Sequence, residues 1–166
     1  MALYVDVSAA VHQQAGIARY ASTLMRTLVG NYGDERQFGL FYNGDRGAMP
    51  LPDLAHLPRH TVPCSYKPWR MAVLLAQRLG MPFDRLLPDA ELFHATEHLL
   101  PPLRSMPTVL TVHDLIYNLF PTYHRRLNYW YLNAAMPIYV RRADALITPS
   151  ESTKQDLRRV YGVPQD

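Results

Sequence analysis

The chain has 166 residues, of which 48% are hydrophobic, and its formal net charge is +3 with neutral histidines. This composition predicts one globular domain with a substantial core and excludes a disordered chain. The single cysteine, Cys64, excludes an intrachain disulfide, and the mild charge gives no sign of a nucleic-acid partner. The N-terminus lacks a signal-peptide pattern and no apolar run approaches about 18 residues, so we expect a cytoplasmic protein.

Strands and helices are predicted to alternate along the first half of the chain. Tyr20, Leu24 and Leu28 recur at four-residue intervals, which indicates an amphipathic helix. Pro68 fits a first helical turn and Gly80 fits a helix end. A proline-rich loop is predicted from residue 45 to residue 60. The predicted elements are strand 3–7, helix 16–30, strand 37–44, strand 61–64 and helix 68–80.

The alternation continues through the second half. Ser150 is the expected N-cap of the last helix and Gly162 its end, and Pro137 is expected to kink the long helix before it. Several strands are continuously apolar, which is typical of a parallel sheet covered on both faces. The predicted fold class is therefore α/β, with a doubly wound, mostly parallel sheet and helices on both faces. The predicted elements are strands 90–96 and 108–112, helix 123–143, strand 144–150 and helix 151–162.

Polar and titratable residues follow the predicted strands where those strands end. His113 and Asp114 come directly after the apolar segment 108–112. In an open parallel sheet, ligands bind beyond the carboxyl ends of the strands, so we expect a cleft there. The alternative at each position is an ordinary hydrated loop. The other cleft residues predicted by this reasoning are Ser8, His94, Thr96, Glu97, Ser150 and Glu151.

Four residues carry the most specific expectations. His113 is expected to face the substrate, whereas Asp114 fits the start of a short helix, 115–120. Gly16 opens a helix whose free N–H groups suit an anionic ligand, with a simple helix cap as the alternative. Arg19, one turn further on, is expected either to reach an anionic group or to lie in solvent.

Two other patterns permit competing interpretations. The segment 94–98, "HATEH", matches a zinc-peptidase motif, but that motif requires a helix and His94 closes a predicted strand, so no metal site is predicted. The segment 66–78 combines Lys67, Trp69 and Arg70 with apolar residues. Core packing is the favoured interpretation of that segment, and peripheral contact with a membrane is the alternative.

Three segments together resemble the retaining glycosyltransferases of family 4. They are "GIARY" at 16–20, "ELFHATEHLLPPLRSMPTVLTVHDL" at 91–115 and "RRADALITPSESTKQDLRRVYGVP" at 141–164. The resemblance implies one Rossmann-like half of a GT-B architecture, namely the N-terminal, acceptor-side domain over residues 1–166. It also implies transfer from a nucleotide-diphosphate sugar to a glycan or lipid-linked acceptor with retention, without a metal or other cofactor.

The same resemblance implies residue roles. Gly16 is expected near the donor's phosphates, His113 near the reacting carbon of the donor sugar, and Asp114 beside it. The glutamate pair eight residues apart that holds the donor in the family's C-terminal domain has no counterpart among Glu35, Glu91, Glu97 and Glu151. We therefore expect the donor-binding domain to be absent from this chain and the chain alone to be inactive. Two alternatives stay open: a binding subunit that needs a partner chain, and an epimerase of sugar nucleotides.

Overall fold

The structure, a computed structural model, describes residues 1–44, 48–123 and 125–164. Part of the predicted loop 45–60, residue 124 of the predicted helix 123–143 and the last two residues of the predicted domain lie outside the described residues. The strands are β1 (Ala2–Asp6), β2 (Phe38–Asn43), β3 (Arg59–Val62), β4 (Ala90–Ala95), β5 (Thr108–Thr111) and β6 (Ala145–Ile147). The α-helices are α1 (Ser8–Val11), α2 (Ala15–Tyr32), α3 (Tyr66–Leu79), α4 (Ile116–Leu119), α5 (Arg126–Arg142) and α6 (Glu151–Tyr161).

The six strands form one sheet in the order β3-β2-β1-β4-β5-β6, and every neighbouring pair is parallel. The strand order reverses between β1 and β4, since the chain moves outward in one direction and then in the other. This is the arrangement of a doubly wound Rossmann-like sheet, in which the reversal opens a crevice at the carboxyl edge. The predicted fold class is confirmed.

Helices cover both faces of the sheet through two separate hydrophobic clusters. One cluster joins Val5 and Leu40 of the sheet to Met25 of α2. The other joins Tyr4 and Phe93 to residues of α3, α5 and α6. Neighbouring strand residues such as Tyr4 and Val5 enter opposite clusters because successive side chains point to opposite faces of a strand. The parallel strands are therefore buried on both sides, which explains their continuously apolar sequences.

Specific residues end the helices where the sequence indicates. Gly80 after α3 and Gly162 after α6 both adopt a left-handed conformation with φ of 67°, which favours glycine. The Ser150 hydroxyl accepts a hydrogen bond from the Thr153 N–H at 3.1 Å and so caps α6 as predicted. Pro137 lies inside α5, where it removes one backbone donor.

Short elements differ most from the sequence prediction. Helix α1 is formed by residues that were expected to be a loop, and β3 begins two residues before the predicted strand 61–64. Helix α5 begins at Arg126, later than predicted, because a 3₁₀ turn over Pro121–Tyr123 precedes it. Among the described residues, no helix is long and apolar enough to cross a membrane.

Candidate functional site

The side chain of His113 lies at the carboxyl edge of the sheet, just beyond the end of β5. Its Nε2 atom is 2.8 Å from the backbone carbonyl oxygen of Thr96, which follows β4. The ring of Tyr20 from α2 meets the His113 ring edge-on, with centroids 4.9 Å apart. The imidazole is only partly buried. Two strands and one helix therefore fix the orientation of a histidine that solvent still reaches.

These contacts determine which ring nitrogen of His113 can bind a ligand. A carbonyl oxygen only accepts hydrogen bonds, so Nε2 carries the hydrogen in this arrangement. In the neutral ring Nδ1 is then an acceptor, and within the described part of the chain Nδ1 has no hydrogen-bond partner. The site thus presents an oriented acceptor, which suits a hydroxyl group of a ligand.

A buried layer of polar side chains supports this edge from below. The Nε2 atom of His94 is 2.8 Å from the Thr111 hydroxyl, and that hydroxyl is 3.1 Å from the Tyr20 hydroxyl. Burial lowers the pKa of His94 to about 4, so its ring is neutral near neutral pH. The Thr96 hydroxyl donates to the carbonyl oxygen of Asp6 at 2.6 Å. The layer joins β1, β4, β5 and α2.

The carboxyl groups of Asp6 and Glu97 form a second buried feature beneath the edge. Burial is the main effect that raises the pKa of Asp6 to about 7, and repulsion from Glu97 is the second. Burial also raises the pKa of Glu97, against hydrogen bonds from Tyr66 at 3.1 Å and Gln14 at 3.2 Å. One oxygen of each carboxyl group, Asp6 Oδ2 and Glu97 Oε1, has no hydrogen-bond partner among the described residues. Burial therefore favours the protonated form of both carboxyl groups, and repulsion from Glu97 adds to this effect at Asp6.

Four of the predicted cleft residues lie beneath the edge instead of on it. Ser8, His94, Thr96 and Glu97 are each at most 6% exposed. Ser8 joins the ends of two strands, since its hydroxyl accepts from the Asn43 N–H at 3.0 Å. The structure therefore gives these residues a supporting position, which differs from the ligand contact expected from the sequence. Polar residues at the strand ends predict the carboxyl edge of the sheet, but they do not show which residues of that edge are exposed and which are buried.

Asp114, Ser150 and Glu151 lie at helix starts. The Asp114 carboxylate accepts from the Ile116 N–H at 3.0 Å, as expected for a residue that starts α4. Ser150 caps α6, and Glu151 is exposed in the first turn of that helix. Thr153 of α6 donates to the backbone carbonyl oxygen of His113 at 3.3 Å. The last helix is thereby fixed to the His113 segment.

The beginning of α2 forms the open side of the edge. Gly16 is exposed, and a Cβ atom built on it meets no atom within 4 Å among the described residues. Gln13 and Ala15 just before it have φ of 50° and 27°, which is strained for residues other than glycine. Arg19 is exposed one turn further on. Intrachain packing therefore does not require glycine at position 16, whereas close approach of a ligand to the helix N-terminus would.

Several residues of this edge were not found from the sequence. Tyr20 and Thr111 contact each other across 91 positions of the chain. Tyr66 of α3 and Gln14, which lies just before α2, both bond Glu97. A tyrosine inside an amphipathic helix has the spacing of a core residue, so nothing in the local pattern marks it. Among the described residues no three His, Cys, Asp or Glu side chains are placed to hold a metal ion.

Comparison with known proteins identifies the family. The family model described as Glycosyltransferase Family 4 matches residues 15–166, which includes every element from α2 onward. No curated protein sequence matches the chain. The resemblance seen in the three sequence segments is confirmed by this match. The chain belongs to Glycosyltransferase Family 4.

Proposed function

We propose that this domain forms the acceptor side of an enzyme that transfers a sugar from a nucleotide-diphosphate sugar to a glycan or lipid-linked acceptor. The carboxyl edge around His113 is the observation that carries the proposal. There a partly buried imidazole is held by Thr96 and Tyr20 beside an open helix N-terminus. Family membership supports the glycosyltransferase class. The donor, the acceptor and retention of configuration are inferences.

In this proposal His113 positions the donor sugar. With Nε2 committed to the Thr96 carbonyl, Nδ1 accepts a hydrogen bond from a sugar hydroxyl near the reacting carbon. A fixed acceptor needs no reorganisation during the reaction, so it favours the transition state over misaligned bound states. Tyr20 restrains rotation of the imidazole through its edge-on contact.

The start of α2 holds the donor's diphosphate in the same proposal. Backbone N–H groups at a helix N-terminus and the positive end of its dipole attract phosphate. The exposed position of Gly16 leaves room for that approach. We propose a metal-independent reaction because these groups supply the positive potential that a leaving diphosphate needs. We further propose that a donor-binding domain completes the enzyme. The enzyme transfers the sugar with retention of configuration and acts in the cytoplasm.

The test is a product assay with the full-length enzyme that contains this domain. Radiolabelled nucleotide sugars are supplied with extracted lipid and glycan acceptors, with and without a chelator. We expect acceptor-dependent release of nucleoside diphosphate that the chelator does not reduce. Conversion of the donor to an epimer without sugar transfer would overturn the proposal in favour of the epimerase alternative. Donor hydrolysis that acceptors never stimulate would also contradict it.

A further inference from the structure

A cavity of about 700 Å³ opens between the first turns of α3 and α5. Helix α3 follows β3 and α5 leads back to the start of β6, so both first turns lie at the carboxyl edge of the parallel sheet. Tyr66, Met71, Leu127 and Tyr131 supply the apolar part of its wall. The cavity therefore lies at the ligand-binding edge, beside the His113 region.

Four cationic side chains line the same cavity. They are Lys67, Arg70, Arg125 and Arg126. The guanidinium of Arg70 lies 3.9 Å from the centroid of the Tyr131 ring and donates to Asn128 at 3.1 Å, which fixes its orientation. Among the described residues, none of the four forms an ion pair with a carboxylate. Their positive charges are thus concentrated at one opening, a pattern that selects an anionic ligand.

The acidic side chain that contacts the cavity wall is Glu97. It is bonded to the Tyr66 hydroxyl at 3.1 Å, and it is 2% exposed. The Arg70 charge acts on Glu97, but burial still raises the pKa of Glu97 and so favours its neutral form. Burial of Glu97 thus favours a form that does not offset the cationic side chains of the opening.

An apolar stripe extends from the cavity along the outer face of α3. Met71, Leu75 and Leu79 follow one another at four-residue intervals and therefore share a face. They are 48%, 53% and 71% exposed, whereas Trp69 of the same helix is buried and stacks on Phe83. The helix thus has two apolar faces, one in the core and one in solvent. An exposed apolar face beside a cationic opening is typical of surfaces that bind membranes or lipids.

On the opposite side of the cavity, α5 exposes two large apolar residues. Leu127 is 86% exposed and Trp130 is 62% exposed. Tryptophan is enriched where protein surfaces meet the boundary between membrane and water, since its ring combines an apolar body with a polar N–H group. Apolar groups therefore flank the cationic opening on both of its helices.

We propose that this α3–α5 cavity binds the phosphate or diphosphate headgroup of a lipid-linked acceptor, whose hydrocarbon chain lies along Met71, Leu75 and Leu79. The proposal rests on the acceptor role given above and specifies the acceptor's chemical class as an anionic amphiphile. A neutral soluble glycan would use neither the cationic opening nor the apolar stripe, and an anionic one would leave the stripe unused. Contacts connect the cavity to the reaction edge, because Tyr66 bonds Glu97 and the neighbouring Thr96 carbonyl accepts from His113.

The test measures binding of the chain to vesicles in the absence of any donor, so its outcome is independent of transfer activity. Phosphatidylcholine vesicles carry a few per cent of a long-chain prenyl phosphate, or phosphatidylglycerol at the same surface charge, or no added lipid. We expect binding to the prenyl phosphate vesicles to be at least about tenfold tighter than to the other two. Equal binding to the phosphatidylglycerol vesicles would replace the headgroup site with general membrane docking and overturn the proposal.

Paired variants identify the residues involved. Lys67→Gln with Arg126→Gln removes two exposed cations, and we expect binding to fall about 10- to 30-fold, because each cation near an anionic lipid contributes about fivefold. Arg36→Gln with Arg141→Gln removes the same charge from residues outside the cavity, and we expect a change below about twofold. Arg70→Gln tests the oriented guanidinium, with circular dichroism to verify the fold. Equal losses in the cavity and control pairs would overturn the proposal.

The source of the anion is tested separately. Leu75→Ser with Leu79→Ser is expected to weaken binding to prenyl phosphate vesicles about tenfold. Inorganic pyrophosphate at millimolar concentration is expected to compete only partially, since it lacks the hydrocarbon chain. If pyrophosphate binds as tightly as the lipid and the leucine variants bind normally, the ligand is a soluble anion and the lipid assignment fails.

Discussion

His113 combines three properties that suit contact with a ligand. Its ring is oriented by a backbone carbonyl at 2.8 Å and by an aromatic edge, it is partly open to solvent, and its Nδ1 atom has no partner among the described residues. His94, the histidine of the supporting layer, is by contrast buried. The arrangement therefore favours a ligand-binding role.

Replacing His113 tests this role directly. In the full-length enzyme we expect His113→Ala to lower kcat about 10²- to 10³-fold, the usual cost of losing an oriented hydrogen-bonding group in a transition state. The expected melting temperature is nearly unchanged, because the ring is at the edge and not in the core. His56→Ala, which removes an exposed histidine, is the matched control. Near-normal turnover by the His113 variant would contradict the assignment.

The buried Asp6 and Glu97 pair makes folding stability depend on pH. Burial raises the pKa of Asp6 from its ordinary value of 3.8 to about 7, so between these pH values the folded state holds a proton that the unfolded state has lost. This contribution to stability is present at acidic pH and is lost as pH rises to about 7. His94 has the opposite effect, because its lowered pKa makes the folded state lose stability as pH falls from 6.5 towards 4.

The variant Asp6→Asn separates the two effects. With the Asp6 contribution removed and that of His94 kept, we expect the free energy of unfolding to rise more steeply with pH between about 4 and 6.5 than in the wild type. The difference between the curves is at most about 4 kcal/mol, the equivalent of roughly three pKa units. Urea unfolding at several pH values measures it, with exposed Asp34→Asn as control. Parallel curves for Asp6→Asn and wild type would count against the buried pair.

At the scale of elements, the long helices were predictable, whereas short elements were predictable only where a specific residue marks their start. Helix α2 follows from its apolar spacing, since it spans enough turns for a pattern to recur. Helices α3 and α6 follow from the glycines at their ends, Gly80 and Gly162. Helices α1 and α4 have four residues each, which is too short for any periodicity. Helix α4 was nevertheless predicted from Asp114 at its start, whereas α1 was not predicted. Helix α3 shows a further limit. Core packing was the favoured interpretation of segment 66–78, and the structure has an exposed apolar face on this helix in addition to the buried one.

Contacts between elements set another limit on what the sequence predicts. The edge residues follow from strand ends, and the N-cap role of Ser150 follows from its position before a helical segment. Which polar residues are buried depends on partners from distant elements, as Tyr20 and Thr111 illustrate. No local spacing contains that information. The sequence therefore predicts where the site lies. Only the structure shows which of its residues are exposed to a ligand and which are buried beneath the edge.

Packing of β1 against β2 requires a glycine in the middle of β2. A Cβ atom added to Gly39 would lie 2.3 Å from Cε1 of Tyr4, a ring that is 1% exposed. We expect Gly39→Ala to lower the free energy of unfolding by about 1–3 kcal/mol, the usual cost of overpacking a core. Gly16→Ala has open space around it and should leave stability nearly unchanged. Denaturant unfolding of both variants tests this, and equal stabilities would refute the packing account.

In the whole molecule, we expect binding of the nucleotide-diphosphate sugar to be shared between this domain and a donor-binding domain. The domain offers an exposed helix N-terminus at Gly16, where we propose that the donor's diphosphate binds, but its sequence has no pair of glutamates eight residues apart. We therefore expect the 166-residue chain alone to bind nucleotide-diphosphate sugars only at millimolar concentration or not at all. Titration calorimetry measures this affinity. Micromolar binding of a donor by the chain alone would show that the division is wrong.

The anomeric configuration of the product tests most directly whether the enzyme transfers a sugar with retention. The full-length enzyme is given a nucleotide-diphosphate sugar with an α-linked donor sugar, and proton NMR follows the anomeric signal of the first product formed. We predict an α-linked sugar on the acceptor, which means transfer with retention at the edge formed by His113 and the start of α2. A β-linked product, or an epimerised sugar that is never joined to an acceptor, would contradict the account.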